Sequence, residues 1–135
     1  MAYTNNHIYT DIMAIKHLTS EGERISQDTI NVRRSLAYKI EAQQMYNYVC
    51  EGCNCNMATE HSHIIPQFRC KILHKAELCY DRANWFLSCR ECHQDWENKK
   101  SGKFGKLKNI NELLTFLEEN DPEEYRKRCI ILDEL

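Results

Sequence analysis

Apolar residues recur at helical spacing near the start of the 135-residue chain. Ile12, Ile15 and Leu18 occupy every third position and predict a short amphipathic helix over residues 10–18. Gly22 follows shortly afterwards and marks the end of this predicted helix, because glycine favours the turn that stops a helix.

A second helix is predicted directly after this turn. Ser26 offers an N-cap, and the helical pattern continues towards Met45. Residues 1–47 are therefore expected to form a loose arm followed by a helical hairpin. The alternative is a helix-turn-helix that reads DNA, with Arg33 and Arg34 on its second helix.

The middle of the chain changes to a strand pattern. Residues 59–65 predict a strand that ends at Pro66, since proline cannot donate to a strand ladder. Side chains alternate between the two faces of a strand, so His61 and His63 share one face and Ser62 lies on the other.

The following segments are short and end in helices. Residues 67–82 have no clean period and predict a loop with a short return strand or a helical turn. Residues 85–87 predict a second strand, and a short helix begins near His93. Residues 109–120 and the stretch that begins at Asp121, with proline next, carry helix-start signals. The pattern as a whole predicts an α+β fold.

Composition is ordinary for a globular domain, with 42% hydrophobic and 28% charged residues. No apolar run approaches the ~20 residues that span a bilayer, and the first residues lack the basic and apolar regions of a secretory signal. We therefore expect no membrane association and a reducing, cytoplasmic location.

Charge is unevenly distributed along the chain. Residues 66–108 carry a net charge of +5, whereas residues 109–135 carry −5. A basic, glycine-broken segment lies at the end of the positive region and predicts contacts with phosphates, with a solvated linker as the alternative. The predicted nucleic-acid contacts are Arg33, Arg34, Lys99, Lys100, Lys103, Lys106 and Lys108.

Eight cysteines in a reducing compartment predict metal ligands or buried thiols rather than disulfides. Four of them form two Cys-x-x-Cys pairs, which supply four thiolates to one closed, structural Zn²⁺ site at about 2.3 Å. A redox pair is the competing interpretation. The predicted zinc ligands are Cys50, Cys53, Cys89 and Cys92.

The other four cysteines have no partner at this spacing. Cys55, Cys70, Cys79 and Cys129 are predicted to be small buried apolar residues. Cys55 has a second possible role, because it lies close enough to Cys53 to replace it as a ligand.

The order Cys-x-x-Cys, His-Ile-Ile-Pro, Asn and Cys-x-x-Cys-His resembles the HNH endonucleases of the ββα-metal fold in their zinc-knuckle form. The resemblance covers roughly residues 48–100, flanked by helices in residues 1–47 and by a basic loop and helices in residues 101–135. It implies a ββα-metal core tied together by a Cys₄ zinc, and divalent-metal-dependent hydrolysis of DNA that leaves a 5′-phosphate and a 3′-hydroxyl.

The resemblance also assigns roles to three residues. It implies that His63 is the general base that activates water, and that Asn84 either binds the catalytic metal or orients His63. It implies that His93 is a ligand of a divalent ion, Mg²⁺ or Mn²⁺ or a similar cation. An imidazole with a pKa near 6.5 suits a base at neutral pH, and a cation suits the charge that develops at phosphorus.

One position departs from the family pattern. The residue before the general base is commonly an aspartate or histidine that binds the metal, and here it is Ser62. Glu97, four residues after His93 on the same helix face, is the first candidate to replace it, and His61 is the second.

The implied partner is DNA, predicted to be double-stranded, in a bacterial or phage-infected cell. The flanking helices offer surfaces for a homodimer, which would suit cleavage of two strands. The alternative is a zinc-stapled nucleic-acid-binding or regulatory module with a degenerate HNH fold and no catalysis.

Overall fold

A computed structural model describes residues 15–42 and 48–135 of the chain. The described part is a mixture of helices with two small antiparallel sheets, so the predicted α+β class is confirmed. Its main core draws on all three segments that the sequence suggested, from Ile30 through Trp96 to Leu117. None of the helices in these two ranges is long and apolar enough to cross a lipid bilayer.

The first described unit is a β-hairpin, strands β1 (Lys16–Leu18) and β2 (Arg24–Ser26), in the register that pairs His17 with Ile25. The helix predicted over residues 10–18 is wrong at its described end, and residues 10–14 lie outside the described residues. Gly22 adopts a φ of 88° in the hairpin turn, a left-handed conformation that glycine allows. The turn therefore joins two strands, and both the helical hairpin and the helix-turn-helix are wrong for residues 15–42.

Helix α1 (Gln27–Ala42) follows directly and confirms the second predicted helix. Ser26 caps it, since its Oγ accepts the Thr29 backbone N–H at 3.2 Å. Ile30 is fully buried beneath it, whereas Leu36 faces solvent. Helix α1 covers one face of the second sheet and brings Tyr38 over it.

The second sheet consists of β3 (Glu60–His63) and β4 (Trp85–Ser88), paired so that Glu60 lies opposite Ser88 and His63 opposite Trp85. Both predicted strands are therefore confirmed. Helix α3 (Arg90–Glu97) follows β4 and packs on the sheet, with the Trp96 indole N–H donating to the His63 carbonyl at 3.1 Å. Two strands and one helix thus form a hairpin–helix unit.

The connection between β3 and β4 is helical. It contains α2 (Gln67–Ile72) and two 3₁₀ turns, Ala76–Cys79 and Arg82–Asn84. The prediction allowed a helical turn or a return strand here, and the structure has the helix. Arg69 on α2 is held by a residue that is distant in sequence, since its guanidinium contacts both carboxylate oxygens of Asp121 at 2.9 Å.

The last two helices are α4 (Ile110–Asn120) and α5 (Pro122–Asp133), both as predicted. Asp121 caps α5 and is fully buried; burial alone would raise the pKa of its carboxyl, but the Arg69 guanidinium outweighs burial and leaves it lowered. Helix α5 docks on α3 through Arg128, which lies 3.6 Å from the Trp96 ring centroid and donates to the Trp96 carbonyl.

Candidate functional site

Four cysteine sulfurs meet at the base of the hairpin–helix unit. They lie within 4.8 Å of one another and form the one group of three or more histidine, cysteine or carboxylate side chains in residues 15–42 and 48–135 that could hold a metal ion. A tetrahedral zinc with bonds of ~2.3 Å needs sulfurs about 3.8 Å apart, so the cluster fits with a small contraction. The predicted group is confirmed as a potential metal site compatible with structural zinc: Cys50, Cys53, Cys89 and Cys92.

Backbone amides point at the sulfurs. The Asn56 N–H donates to Cys53 Sγ at 3.5 Å, and the Cys92 N–H donates to Cys89 Sγ at 3.5 Å. The N–H groups of Asn56 and Cys55 lower the pKa of Cys53 to about 7. Such amides stabilise thiolates, which are the form that binds a metal.

A close approach at Gly52 lets the first pair fit against the second. A Cβ at this position would lie 2.9 Å from Cys92 Cβ and 3.0 Å from a Leu107 methyl, so any side chain would push the two pairs apart. The Gly52 carbonyl also accepts the Lys108 N–H at 2.8 Å. The basic segment is therefore attached to the cysteine cluster.

The remaining cysteines differ in burial. Cys70 and Cys79 are fully buried, as predicted, and Cys129 is half-buried. Cys55 is exposed and lies outside the cluster, so both its predicted burial and its role as a substitute for Cys53 are wrong.

His63 lies at the end of β3, on the sheet face that α1 covers. Its Nε2 lies 3.4 Å from the Cys79 carbonyl oxygen and 3.2 Å from the Tyr38 hydroxyl. The Tyr38 hydroxyl lies 3.3 Å from Nδ1, and the Trp85 ring meets the imidazole edge-on at 5.8 Å. Burial lowers the pKa of His63, so at neutral pH the ring is in the neutral form that can accept a proton.

Asn84 is fully buried and holds backbone in place. Its Oδ1 accepts the Ile65 N–H at 2.9 Å, and its Nδ2 donates to the carbonyls of Ile65 at 2.8 Å and Leu78 at 2.9 Å. The carbonyl that contacts His63 belongs to Cys79, the next residue along. The geometry thus favours the alternative in which Asn84 orients His63 over the alternative in which it binds a metal.

We expect Asn84→Ala to lower the free energy of unfolding by roughly 3–5 kcal/mol, because three buried backbone groups lose their partner. Urea unfolding followed by circular dichroism measures this loss. Asn109→Ala is the matched control: the Asn109 Oδ1 is buried without a hydrogen-bond partner among the described residues, so its removal should be nearly neutral. An equal loss of stability in the two variants would contradict the role of Asn84 in holding these backbone groups.

His93 lies on α3 between two carboxylates. Its Nδ1 is 3.3 Å from Glu60 Oε2, and its Nε2 is 2.7 Å from Glu97 Oε1. The predicted proximity of Glu97 to His93 is therefore present. Glu60 is a residue that sequence reasoning missed, although it shares the strand face of Ser62 and the period of two could have identified it.

The two other candidate ligands have different surroundings. Ser62 is fully buried, and its hydroxyl bonds Ser88 at 2.7 Å, so an ion has no open path to it. His61 stacks on Tyr38 with ring centroids 4.2 Å apart and faces Glu41 at 3.6 Å. Tyr38 was also missed, and no local signal marks it, because its partners lie more than twenty residues away in sequence.

The predicted phosphate contacts surround the unit on several sides. Lys99 pairs with Glu124 at 3.0 Å, and Arg33 donates to the Tyr80 hydroxyl at 2.8 Å. Lys103 lies beside Glu97 at one cavity and beside Cys53 at another. The remaining lysines of the basic segment are exposed: Lys100, Lys106 and Lys108.

Comparison with known proteins adds no relative: no family model, curated protein or solved structure matches the chain significantly.

Proposed function

We propose that this chain is a divalent-metal-dependent HNH endonuclease that hydrolyses DNA. The observation that carries the proposal is the placement of His63 and His93 on one hairpin–helix unit, held together at its base by a four-cysteine cluster. These residues follow one another along the chain in the order that resembles the HNH endonucleases. The zinc is structural in this proposal, because four thiolates leave no open coordination position.

His63 is the proposed general base. In this proposal Nε2 carries the proton and donates to the Cys79 carbonyl, and Nδ1, beside the Tyr38 hydroxyl, takes a proton from water. Asn84 fixes the backbone around this carbonyl and so sets the orientation of the ring. Attack of the resulting hydroxide on phosphorus breaks the bond to the 3′ oxygen. The 3′ oxygen takes a proton from solvent and becomes a 3′-hydroxyl, and the phosphate stays on the 5′ oxygen.

His93 and Glu97 are the proposed holders of the catalytic cation, since their donor atoms are neighbours at 2.7 Å. Glu60 lies 3.3 Å from His93 Nδ1 and would accept the proton there once Nε2 bound a cation in place of its contact with Glu97. Two protein ligands suit Mg²⁺, which usually keeps several waters and takes further oxygens from substrate phosphates. The cation supplies charge stabilisation at the phosphate.

A plasmid assay tests the proposal. The purified protein should convert supercoiled plasmid to nicked or linear product with Mg²⁺ or Mn²⁺, lose this activity in EDTA, and regain it when excess Mg²⁺ is added back. Zinc content is measured in parallel, so that loss of the structural ion is distinguished from loss of the catalytic ion. Cleavage that is indifferent to EDTA, or no cleavage by zinc-loaded protein, contradicts the proposal.

The second candidate is a nucleic-acid-binding or regulatory module without catalysis. Two observations favour it: Tyr38 covers His63, and the described residues present no second group of three ligands. This candidate predicts retention of DNA in a gel-shift assay without nicking under any divalent cation. The same plasmid assay therefore separates the two functions.

A further inference from the structure

A cavity of about 310 Å³ lies beside the end of β3, between α2, α3 and the junction of α4 and α5. Its floor is apolar, since Ile65 and Trp96 are almost completely buried there. His63 and Glu97, the proposed base and one proposed metal ligand, border the same space. A mostly apolar cavity with a few polar groups is the usual form of a site for a flat organic ligand.

Phe68 forms the outer wall of this cavity, and 65% of its surface is exposed. Phe68 lies on α2, and the residue of α2 that is buried in the core is Cys70. Phe68 is therefore not needed to hold α2 in place. Single exposed apolar residues are common. This one differs because its ring stands at the entrance of a space that also contains His63.

Three cations border the cavity and are held in fixed positions: Lys99, Arg69 and Arg128, the last by the Trp96 carbonyl and Glu124. Lys99 contacts both oxygens of Glu124 at 3.0 Å, and Arg69 contacts both oxygens of Asp121 at 2.9 Å. These carboxylates balance much of the positive charge. Binding in the cavity must therefore come mainly from the apolar walls, with the cations placed for an adjoining phosphate.

We propose that Phe68 stacks on an unpaired nucleobase next to the scissile phosphate, so that the preferred substrate is single-stranded or locally distorted DNA. The inference rests on the proposed nuclease function and names its substrate class. A base inside a regular duplex is stacked on both faces and cannot offer one to Phe68. Every base has such a face once it is unstacked, so sequence preference is expected to be weak.

The test compares one labelled strand in three forms: single-stranded, fully paired, and paired with a mismatch at the cleavage position. We expect wild type to cleave the single-stranded and mismatched forms faster than the paired form. Phe68→Ala should slow cleavage of these two forms by roughly 5- to 160-fold, which corresponds to a stacking energy of about 1–3 kcal/mol. Phe68→Trp should keep the preference.

Ile72→Ala is the matched control. Ile72 lies one turn further along α2 and is equally exposed at 62%, but it does not border the cavity. This variant should cleave all three forms like wild type. An equal loss in both variants would show that α2 as a whole was disturbed, and would overturn the specific role of Phe68.

A binding measurement separates this inference from the nuclease proposal. Zinc-loaded Phe68→Trp is titrated with a short single-stranded oligodeoxyadenylate without Mg²⁺ or Mn²⁺, and quenching in excess of wild type reports stacking at residue 68. Quenching without any cleavage would support the stacking site and contradict the nuclease. Cleavage with no preference for single-stranded over paired DNA, together with no excess quenching, would overturn the stacking site alone. A Phe68→Ala variant that changed only the oligomeric state of the protein would overturn it as well.

Discussion

We expect the replacement of His63 with alanine to abolish DNA cleavage while zinc content and thermal unfolding stay close to those of wild type. A general base typically contributes about 10²–10⁴-fold to a rate. The His63 side chain packs against Tyr38 and Trp85, and each of these rings has a further partner, His61 for Tyr38 and Glu41 for Trp85. Single-turnover cleavage of a labelled oligonucleotide measures the loss.

His74→Asn is the control for this experiment. His74 is exposed on the connection after α2 and adopts a φ of 56°, a conformation that asparagine tolerates well. This variant should cleave at the wild-type rate. Chemical rescue adds a positive test, because His63→Gly should regain activity when imidazole is supplied in solution. Full activity in His63→Ala would contradict the assignment of the base.

The pH profile provides a further check on His63. Burial is the largest cause of its lowered pKa, so the neutral ring persists below the ordinary value of about 6.5. Cleavage should therefore hold constant as the pH falls through 6.5 and decline only at lower pH. A decline that begins above 6.5 would show that a different group sets the acid limb.

The strands and cysteine pairs could be predicted because their signals are local. The alternation around His61 and His63 identifies a strand, and the Cys-x-x-Cys spacing identifies Cys89 and Cys92 as a ligand pair. The predicted start of the following helix near His93 is late, because Cys89 is the N-cap of α3 and Cys92 lies in its first turn. The predicted first helix failed for a physical reason. Of the three apolar residues at helical spacing, only Leu18 lies in β1, and the pairing of Lys16–Leu18 with Arg24–Ser26 decides the outcome.

Helix α2 could not be assigned because its pattern is inverted. Phe68 and Ile72, which a helical reading places in the core, both face solvent, and the small Cys70 is buried instead. The side chains around His63 could not be predicted from the sequence either. Tyr38 and Cys79 reach it across 25 and 16 residues of sequence, and no periodicity reports such contacts.

The four-cysteine cluster should decide whether the chain folds at all. A structural zinc contributes an apparent ~10–16 kcal/mol, whereas a domain of this size is stable by about 5–15 kcal/mol in total. The cluster also sits within the core, with Cys50, Cys89 and Cys92 buried among apolar residues. We therefore expect the metal-free protein to be unfolded at 25 °C, measured by circular dichroism after a strong zinc chelator.

Two neighbouring cysteines allow a matched comparison. Cys53 belongs to the cluster, whereas Cys55 lies two residues away and is exposed. Cys53→Ser should lose stoichiometric zinc and cooperative unfolding, because an uncharged hydroxyl replaces a thiolate whose pKa is already lowered to about 7 by backbone amides. Cys55→Ser should keep one zinc per chain and the wild-type unfolding midpoint. The reverse result would exchange their roles, and intact folding of both variants without zinc would show that the cluster is not a structural metal site.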